Sequence, residues 1–332
     1  MNAVPVTVLL PVYNGAADVV QAVRSILAQS FGEFELLIIN DGSKDNSAEL
    51  LATLSDPRIR VVHQENMGLA ATLNRGLQLA NGRYIARQDQ DDLSHPQRLE
   101  KQLAYMEAHP DCILLGSAAD IWIQDQPTDR VHQHPTDHAT LSFDLLFNNP
   151  FVHSSVMLRR DRVLAAGGYS TDRERQPPED YELWSRLARA GQVANLPERL
   201  LVYREVPQSM SRTGPNPFLD KLVTICAENL AMANGMASPD QASVDAAALT
   251  HSALHRLSRR PDLARMRQLV LDAGEALARQ YNTPQVRQRA QERADILKYQ
   301  YMMVRTRTQW LKPVLGRARS LARRIVRTIV RR

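Results

Sequence analysis

Residues 5–43 read PVTVLLPVYNGAADVVQAVRSILAQSFGEFELLIINDGS, and this stretch decides the fold class. It contains two apolar runs rich in β-branched residues, Val6–Val12 and Phe34–Asn40. Between them, over 16–29, apolar residues recur at helical spacing. Alternating strand and helix patterns of this kind are typical of parallel sheets covered by helices. The stretch therefore predicts a βαβ unit with two parallel strands.

The same alternation continues to about residue 110. Further strands are predicted at Ile59–His63 and Arg83–Gln88, and helices are predicted over 45–55, 68–80 and 95–108. Repeated βαβ units stack into a doubly wound, mainly parallel sheet. We therefore expect an α/β fold of this class.

After residue 110 the pattern becomes less regular and then wholly helical. The sequence predicts apolar runs over 112–117 and 152–158, a polar loop over 124–138 and a helix over 179–190. Beyond Pro215, Leu, Ala, Arg and Gln at helical spacing predict helices. We therefore divide the chain into three parts. Residues 1–110 form the first half of the sheet, 111–212 form its second half, and 213–332 form a helical extension.

The composition is that of a globular protein, with 44% hydrophobic and 23% charged residues. The two cysteines, Cys112 and Cys226, are too few and too far apart for a disulfide framework or a cysteine-based zinc site. No apolar run approaches the ~18 residues that cross a bilayer, and no basic region precedes the first apolar run. We therefore expect an unprocessed cytoplasmic protein.

The net charge of +5 is concentrated at the C-terminus, where residues 312–332 contain eight basic and no acidic side chains. The segment 313–332 reads as a basic amphipathic helix, which suits anionic lipid head groups. A terminal helix docked on the body, or a solvated end, is the alternative. Nucleic acid is not an expected partner, because the chain has no recognisable reading motif and only 5% aromatic residues.

Aspartates directly follow two predicted strands, at the edge where open α/β sheets bind ligands. Asp41 follows the second strand, where its carboxylate could accept hydrogen bonds from a ribose or a base; a turn-forming or capping aspartate is the alternative. Asp89, Asp91 and Asp92 follow the strand over 83–88. Because close carboxylates repel, they predict a hard cation such as Mg²⁺ or Mn²⁺, with an acidic solvated turn as the alternative.

A further acidic pair, Glu179-Asp180, opens a predicted helix after two prolines. Helical spacing places Asp180 on one face with three apolar side chains: Leu183, Trp184 and Leu187. Glu182 and Arg186 are predicted to pair on the outer face. An inward carboxylate costs free energy unless it is bonded, so Asp180 is a functional candidate; the alternative is the preference of helix N-termini for aspartate.

These motifs, in this order, resemble the inverting nucleotide-sugar glycosyltransferases of family 2, which have the GT-A fold. The likeness covers about residues 4–212. The matching runs are 8–15 (VLLPVYNG), 39–43 (INDGS), 66–68 (NMG) with 74–76 (NRG), 89–92 (DQDD) and 179–180 (ED).

The resemblance implies a role for each motif. It implies that five residues bind the nucleotide sugar: Pro11, Tyr13, Asp41, Arg75 and Asp89. Asp91 would ligate a Mn²⁺ or Mg²⁺ ion that bridges the diphosphate, and Asp180 would be the general base. His153 and Glu179 would lie on the acceptor side, although His153 could instead be a hydrogen-bonded structural histidine.

The chain departs from the family pattern in two places. Members often carry a histidine shortly after a Tyr-Arg pair, but here Tyr203-Arg204 is followed by Glu205-Val206-Pro207. That contact is then missing, or it is supplied by one of four residues: Arg204, Ser209, Ser211 or Arg212. The Gln-x-x-Arg-Trp signature of processive members is also absent, which disfavours long-chain polymerisation.

The sequence thus predicts a metal-dependent inverting glycosyltransferase. It would move a sugar from a nucleotide donor, expected to be UDP-linked, to a growing glycan or a lipid-linked acceptor of surface polysaccharide or lipopolysaccharide synthesis, at the inner face of the cytoplasmic membrane. Residues 1–110 would bind the donor and 111–212 the acceptor. Two alternatives are a non-catalytic adaptor that acts through its helical tail, and a nucleotidyltransferase, which would prefer a glycine-rich phosphate loop near the first strand.

Overall fold

The computed structural model describes residues 4–123, 125–205 and 218–305. In these residues nine strands form one sheet: β1 (Val6–Val12), β2 (Phe34–Asp41), β3 (Ile59–Gln64), β4 (Tyr84–Arg87), β5 (Leu93–Ser94), β6 (Cys112–Ile123), β7 (Gln126–His132), β8 (Met157–Arg159) and β9 (Gln192–Glu205). The described helices are α1 (Val19–Leu27), α2 (Ser47–Ala52), α3 (Leu69–Leu79), α4 (Arg98–Ala108), α5 (His138–Asp144), α6 (Arg160–Ala165), α7 (Glu179–Ala190), α8 (Leu219–Ala233), α9 (Gln241–His251), α10 (Leu263–Gln280) and α11 (Gln285–Arg305).

The sheet has the strand order β3-β2-β1-β4-β8-β6-β9-β5, with β7 paired to β6. The first four strands are parallel to one another, which confirms the predicted βαβ units. Strand β8 is antiparallel to both of its neighbours, and β6 and β9 are parallel. Strands from both sides of residue 110 therefore lie in a single α/β sheet.

Both faces of the sheet are buried at β1 and β2. Side chains that alternate along β1 and β2 enter two different hydrophobic cores: Val8, Leu10 and Ile38 in one, and Leu9, Leu37 and Ile39 in the other. Parallel strands buried on both faces need apolar residues at every position rather than at alternate ones. This is why the opening sequence contains continuous apolar runs.

The prediction of a polar loop over 124–138 is wrong for β7, which pairs antiparallel with β6. Most of its side chains are exposed or half-buried, so the strand carries no alternating apolar signal. The prediction also omitted β9, a strand of 14 residues. Strand β9 runs parallel to β6 with shifts of register, and several of its side chains are exposed. Strand β7 is stabilised by pairing with β6 rather than by a hydrophobic pattern of its own. Strand β9 buries Val193, Leu200 and Leu201, but the exposed residues 197–199 interrupt its apolar pattern.

The helices α8 to α11 form an extension with its own hydrophobic core, which includes Phe143 and Phe147 from the end of α5 and the segment after it. Helices α10 and α11 approach closely at Gly274, where a Cβ would lie 2.2 Å from the Cβ of Ala290. Arg289 of α11 also forms an ion pair with Asp144 of α5. None of the described helices is long and apolar enough to span a bilayer.

Candidate functional site

Asp41 lies at the end of β2 and is bonded to the segment that precedes α3. Its Oδ1 accepts from the Met67 amide at 2.8 Å and from Gln64 Nε2 at 2.6 Å, and its Oδ2 accepts from the Gly68 amide at 3.0 Å. Gln64 also accepts from Arg75 Nη1 at 2.7 Å. Asp41 and Arg75 are therefore linked through Gln64, and the Asp41 carboxylate holds the segment before α3 rather than its own turn.

The loop after β1 contacts residues 89–92, which follow β4 and which we call the acidic segment. The contact is made by Gln90, to which sequence analysis assigned no role. Gln90 Oε1 accepts from the Tyr13 amide at 2.9 Å, and Gln90 Nε2 donates to the Tyr13 carbonyl at 3.1 Å. Tyr13 is 45% exposed, whereas Pro11 is buried within β1. A Cβ at Gly15 would lie 2.4 Å from Gln90 Oε1, so a larger residue there would displace the Gln90 side chain from this position. The ends of β1 and β4 are thus tied together.

Two of the three clustered aspartates have protein partners. Asp89 Oδ1 accepts from Arg87 Nη2 at 2.6 Å. Asp92 is 1% exposed, and its carboxylate accepts from the Ser154 hydroxyl and, at 2.8 Å, from the Arg204 amide. Burial would raise the pKa of Asp89, but Arg87 holds it below its ordinary value. Burial raises the pKa of Asp92 well above its ordinary value.

Asp91 is the third aspartate of this cluster, and among the described residues its carboxylate forms no ion pair and accepts from no other side chain. Burial, reinforced by the nearby charge of Asp89, raises the pKa of Asp91 to about 6. A raised pKa means that negative charge at this position is poorly compensated. A cation bound here would compensate it.

A divalent cation fits this position in one particular way. Within the described ranges, no three His, Cys, Asp or Glu side chains are arranged to hold a metal by themselves. Mg²⁺ usually takes one or two carboxylates from a protein and completes its coordination with substrate phosphates and water. Asp91, with Asp89 beside it, is a donor set of this partial kind.

Arg98 of α4 holds the buried framework beneath the acidic segment. Its guanidinium donates to Gln88 Oε1 and Gln102 Oε1, each at 3.0 Å, to Ser94 Oγ at 2.9 Å and to the Arg87 carbonyl at 2.7 Å. Burial lowers the pKa of Arg98 to about 9, so the side chain remains a cation at neutral pH. The sequence gave no signal for this role, since the acceptors come from several separate elements.

Asp180 lies in the first turn of α7 and is half-buried. Asn149 Nδ2 donates to Asp180 Oδ2 at 2.8 Å, and the Tyr181 amide donates to Asp180 Oδ1 at 2.7 Å. Burial raises the pKa of Asp180 to about 6. A half-buried carboxylate with such a pKa is deprotonated at neutral pH yet basic enough to accept a proton. Asn149 is a further residue that sequence analysis missed.

His153 and Glu179 lie beside one another near Asp180. His153 Nε2 and the Tyr169 hydroxyl are 3.1 Å apart, and His153 Nδ1 lies 4.0 Å from Glu179 Oε1. Burial lowers the pKa of His153 to about 3, so the imidazole is neutral. Burial, together with the charge of Asp180, raises the pKa of Glu179 to about 7. His153 therefore has a hydrogen-bond partner within the protein, and its role on the acceptor side stays a prediction.

Three of the predicted site residues, Asp91, Glu179 and Asp180, share an electrostatic neighbourhood with Asp89. Its charge raises the pKa of Asp91, of Glu179 and of Asp180, although burial is the larger cause in each case. The structure therefore brings the acidic segment after β4 together with the start of α7. Asp41 is joined to this region only indirectly, because β2 lies next to β1, whose loop contacts Gln90.

The predicted pair of Glu182 and Arg186 forms, at 2.7 Å, but its placement on the outer face is wrong. Glu182 is buried, and Arg186 donates to the Gly168 carbonyl at 2.6 Å and to the Ala166 carbonyl. The pair therefore fastens α7 to the segment after α6. Helical spacing identified the partners, but it could not show that another segment covers them.

Arg204 is engaged by carboxylates at the other side of the acidic segment. Its Nη2 lies 2.6 Å from Asp18 Oδ1 and 2.7 Å from Asp125 Oδ1. The remaining positions considered for the missing family histidine, which are Val206, Ser209, Ser211 and Arg212, lie outside the described residues.

Similarity to known proteins includes the part of the chain that contains Asp41 and the acidic segment 89–92. The sequence profile described as Glycosyl transferase family 2 matches residues 7–168. The chain is 33% identical over 204 residues to the amylovoran biosynthesis glycosyltransferase AmsE of Erwinia amylovora, covering 60% of this chain and 75% of that protein. It is 32% identical over 232 residues to the putative glycosyltransferase EpsE of Bacillus subtilis, covering 68% and 82%. An uncharacterized glycosyltransferase of Haemophilus influenzae is 31% identical, and the match spans 66% of its length.

Solved structures with a similar fold include S. aureus TarS 1-349 in complex with UDP-GlcNAc. It has a TM-score of 0.60 and 14% sequence identity, over 90% of this chain and 87% of that one. The mannosyltransferase PcManGT from Pyrobaculum calidifontis, in complex with GDP-Man and Mn²⁺, has a TM-score of 0.51 and 17% identity, over 89% and 87%. At these identities the likeness concerns the fold, including the helices that follow the sheet.

Proposed function

Since this chain belongs to glycosyl transferase family 2 and has the GT-A fold, we propose that it transfers a single sugar from a UDP-sugar, with inversion, to a growing glycan or a lipid-linked acceptor. The observation that carries this proposal is Asp180, a half-buried carboxylate whose pKa is raised to about 6, beside the acidic segment. The name of AmsE, an amylovoran biosynthesis glycosyltransferase, favours a role in surface polysaccharide or lipopolysaccharide synthesis.

In the proposed reaction, Asp180 takes the proton of an acceptor hydroxyl while that oxygen attacks the anomeric carbon of the donor sugar. The new glycosidic bond forms as the bond to the diphosphate breaks, and the nucleoside diphosphate leaves with the electron pair. A single displacement inverts the anomeric centre. Asn149 would keep the Asp180 carboxylate in place, since it donates to Oδ2 at 2.8 Å.

On the donor side, we propose that residues 1–110 hold the nucleotide sugar and that 111–212 supply the acceptor side. Asp89 and the exposed Tyr13 lie at the edge that would receive the nucleotide, and Asp41 orders the adjoining turn with Gln64 and Arg75. Asp91, with Asp89, would hold a Mn²⁺ or Mg²⁺ ion. Such an ion, when bound, would neutralise charge on the departing diphosphate.

A donor screen tests this proposal. The full chain is incubated with a panel of UDP- and GDP-sugars in the presence of Mn²⁺ or Mg²⁺, and release of nucleoside diphosphate is measured. We expect release from at least one UDP-sugar, loss of release in excess EDTA and recovery on addition of Mn²⁺. Release of sugar 1-phosphate, with transfer of the nucleoside monophosphate group, would instead indicate a nucleotidyltransferase, and binding of donor without turnover would indicate an adaptor.

The basic segment 313–332 lies outside the described residues, and we propose that it attaches the enzyme to the anionic inner face of the cytoplasmic membrane. Each basic residue near such a surface contributes about 1 kcal/mol. Deletion of 313–332 is expected to abolish most sedimentation with phosphatidylglycerol vesicles and to leave donor hydrolysis nearly unchanged. Phosphatidylcholine vesicles serve as the uncharged control. Equal sedimentation of the two chains with the anionic vesicles would contradict the membrane role.

A further inference from the structure

A cavity lies between the sheet domain and the helical extension. One wall is formed by the end of α5 and the segment to Pro150, and the other wall is formed by α11. The cavity has a volume of about 290 Å³. This is close to the lower end of the ~300–1,000 Å³ found for small-molecule pockets, and it would suit one sugar ring rather than a large ligand. We call it the α5–α11 cavity.

The α5–α11 cavity is adjacent to Asp180. Asn149 lines the cavity, and its Nδ2 donates to Asp180 Oδ2 at 2.8 Å. A molecule in the cavity would therefore lie one side chain away from the carboxylate that is proposed to take the acceptor proton. The acidic segment that is proposed to hold the donor diphosphate contributes no residue to the lining.

The charged groups of the lining balance one another. Arg289 is paired with Asp144 across the cavity walls. Arg293 donates to Thr250 Oγ1 at 2.9 Å and lies over the Phe147 ring at 4.6 Å. Glu292 of α11 adds a second carboxylate to the lining.

Such a lining offers both hydrogen-bond donors and acceptors without a net charge. An anionic ligand would meet the two carboxylates, and a cationic ligand would meet the two guanidinium groups. Sugar hydroxyls both donate and accept hydrogen bonds, so they match a mixed lining of this kind. The apolar side chains of Phe147 and Ile296 complete the walls.

We propose that the α5–α11 cavity binds an uncharged sugar residue of the acceptor, a proposal that rests on the glycosyltransferase function proposed above. The acceptor would be a glycan that extends from Asp180 along α11. In this assignment the helical extension forms part of the acceptor site, and it helps to select acceptors by the sugar next to the one that is extended.

The experiment fills the cavity and measures binding without any donor. Ile296 lines the cavity and is 47% exposed, so Ile296→Trp blocks the space without disturbing a core. The matched control is Met302→Trp, on the same helix, 51% exposed and outside the lining. The probes are benzyl glycosides of glucose, galactose, mannose and N-acetylglucosamine, with benzyl glucuronide as the anionic comparison, and binding is followed by ligand-observed NMR.

We expect at least one neutral glycoside to bind the parent and Met302→Trp equally, and to bind Ile296→Trp at least 10-fold more weakly, which corresponds to about 1.4 kcal/mol. A second variant, Glu292→Ala, removes an exposed hydrogen-bond acceptor and is expected to weaken the same glycoside. Thermal unfolding of each variant reports whether it folds like the parent.

The inference is overturned if no neutral glycoside binds, if Ile296→Trp binds as well as Met302→Trp, or if only the glucuronide binds. Thermal shift with UDP-sugars on the same samples separates these results from a failure of the proposed function. If the protein binds UDP-sugars but Ile296→Trp does not weaken glycoside binding, the assignment of the cavity to the acceptor is wrong and the proposed glycosyltransferase function stands. Glycoside binding that depends on Ile296, with no response to any nucleotide sugar, removes the proposed donor and leaves a sugar-binding cavity.

Discussion

Asp180→Asn is expected to lower sugar transfer by ~10²–10⁴-fold, the usual contribution of a positioned general base. The amide keeps the size of the side chain, and its oxygen can still accept from Asn149, but it cannot take a proton from the acceptor hydroxyl. Binding of the donor is expected to stay close to that of the parent, because Asp180 is not among the residues proposed to hold it. Product formation and UDP-sugar thermal shifts measure the two effects separately.

The pH profile of transfer gives a second measure of the same role. Burial raises the pKa of Asp180 to about 6, so the carboxylate form dominates above that value and the protonated form below it. Transfer by the parent is therefore expected to fall as the pH drops through about 6, because a protonated Asp180 accepts no proton. The residual activity of Asp180→Asn is expected to lack this limb.

Two control variants distinguish a general base from a merely structural carboxylate. Asp272→Asn changes an exposed aspartate of α10 and is expected to leave transfer unchanged. Glu179→Gln changes the buried neighbour that faces His153, and its effect is expected to be smaller than that of Asp180→Asn. If Glu179→Gln abolishes transfer while Asp180→Asn retains it, the roles of the two neighbouring carboxylates must be exchanged.

Asp91→Asn is expected to remove the response to Mn²⁺ or Mg²⁺ and to lower transfer by ~10²–10³-fold. A metal at a phosphoryl leaving group supplies several kcal/mol of stabilisation, and each 1.36 kcal/mol corresponds to a factor of ten in rate. Asp91 is chosen because its neighbours Asp89 and Asp92 already have protein partners, Arg87 and the Ser154 hydroxyl. Titration of Mn²⁺ against the rate of transfer measures the change.

Asp92→Asn is the matched comparison for Asp91→Asn. Asp92 is buried and its carboxylate accepts from the Ser154 hydroxyl and the Arg204 amide, so we place it in the framework of the acidic segment rather than at the proposed cation. The rate of transfer by Asp92→Asn is expected to depend on Mn²⁺ as that of the parent does. A normal Mn²⁺ titration for Asp91→Asn, together with an altered one for Asp92→Asn, would show that Asp92 rather than Asp91 binds the metal.

The sequence alone was sufficient for the first half of the sheet. The runs at β1 and β2 are continuously apolar because both faces of these strands are buried, and hydrophobic periodicity is a local property of the chain. The carboxyl ends of parallel strands lie at one edge of a sheet. For that reason the order of motifs along the chain also predicted that Asp89 and Asp91 would follow β4 at the edge that is proposed to bind the donor.

Only the tertiary structure decided which of the aspartate carboxylates already have hydrogen-bond partners within the protein. In the sequence, Asp41, Asp91 and Asp92 all follow predicted strands in the same way. In the structure, however, the Asp41 carboxylate accepts from the Met67 amide and the Asp92 carboxylate accepts from the Arg204 amide. Such partners come from segments that are distant in the sequence, and a local pattern contains no information about them. The same reason explains why sequence analysis placed Glu182 and Arg186 on the outside of α7.

Tertiary contacts also determined the second half of the sheet and the boundary of the acceptor side. Strand β7 is polar and forms because β6 offers it an unpaired edge, and the position of Asn149 against Asp180 depends on how α7 packs. The α5–α11 cavity exists only because a helix from the far end of the chain packs on α5. Periodicity therefore specified the elements and the residue types of the site, whereas packing between distant segments specified which carboxylates remain available for chemistry.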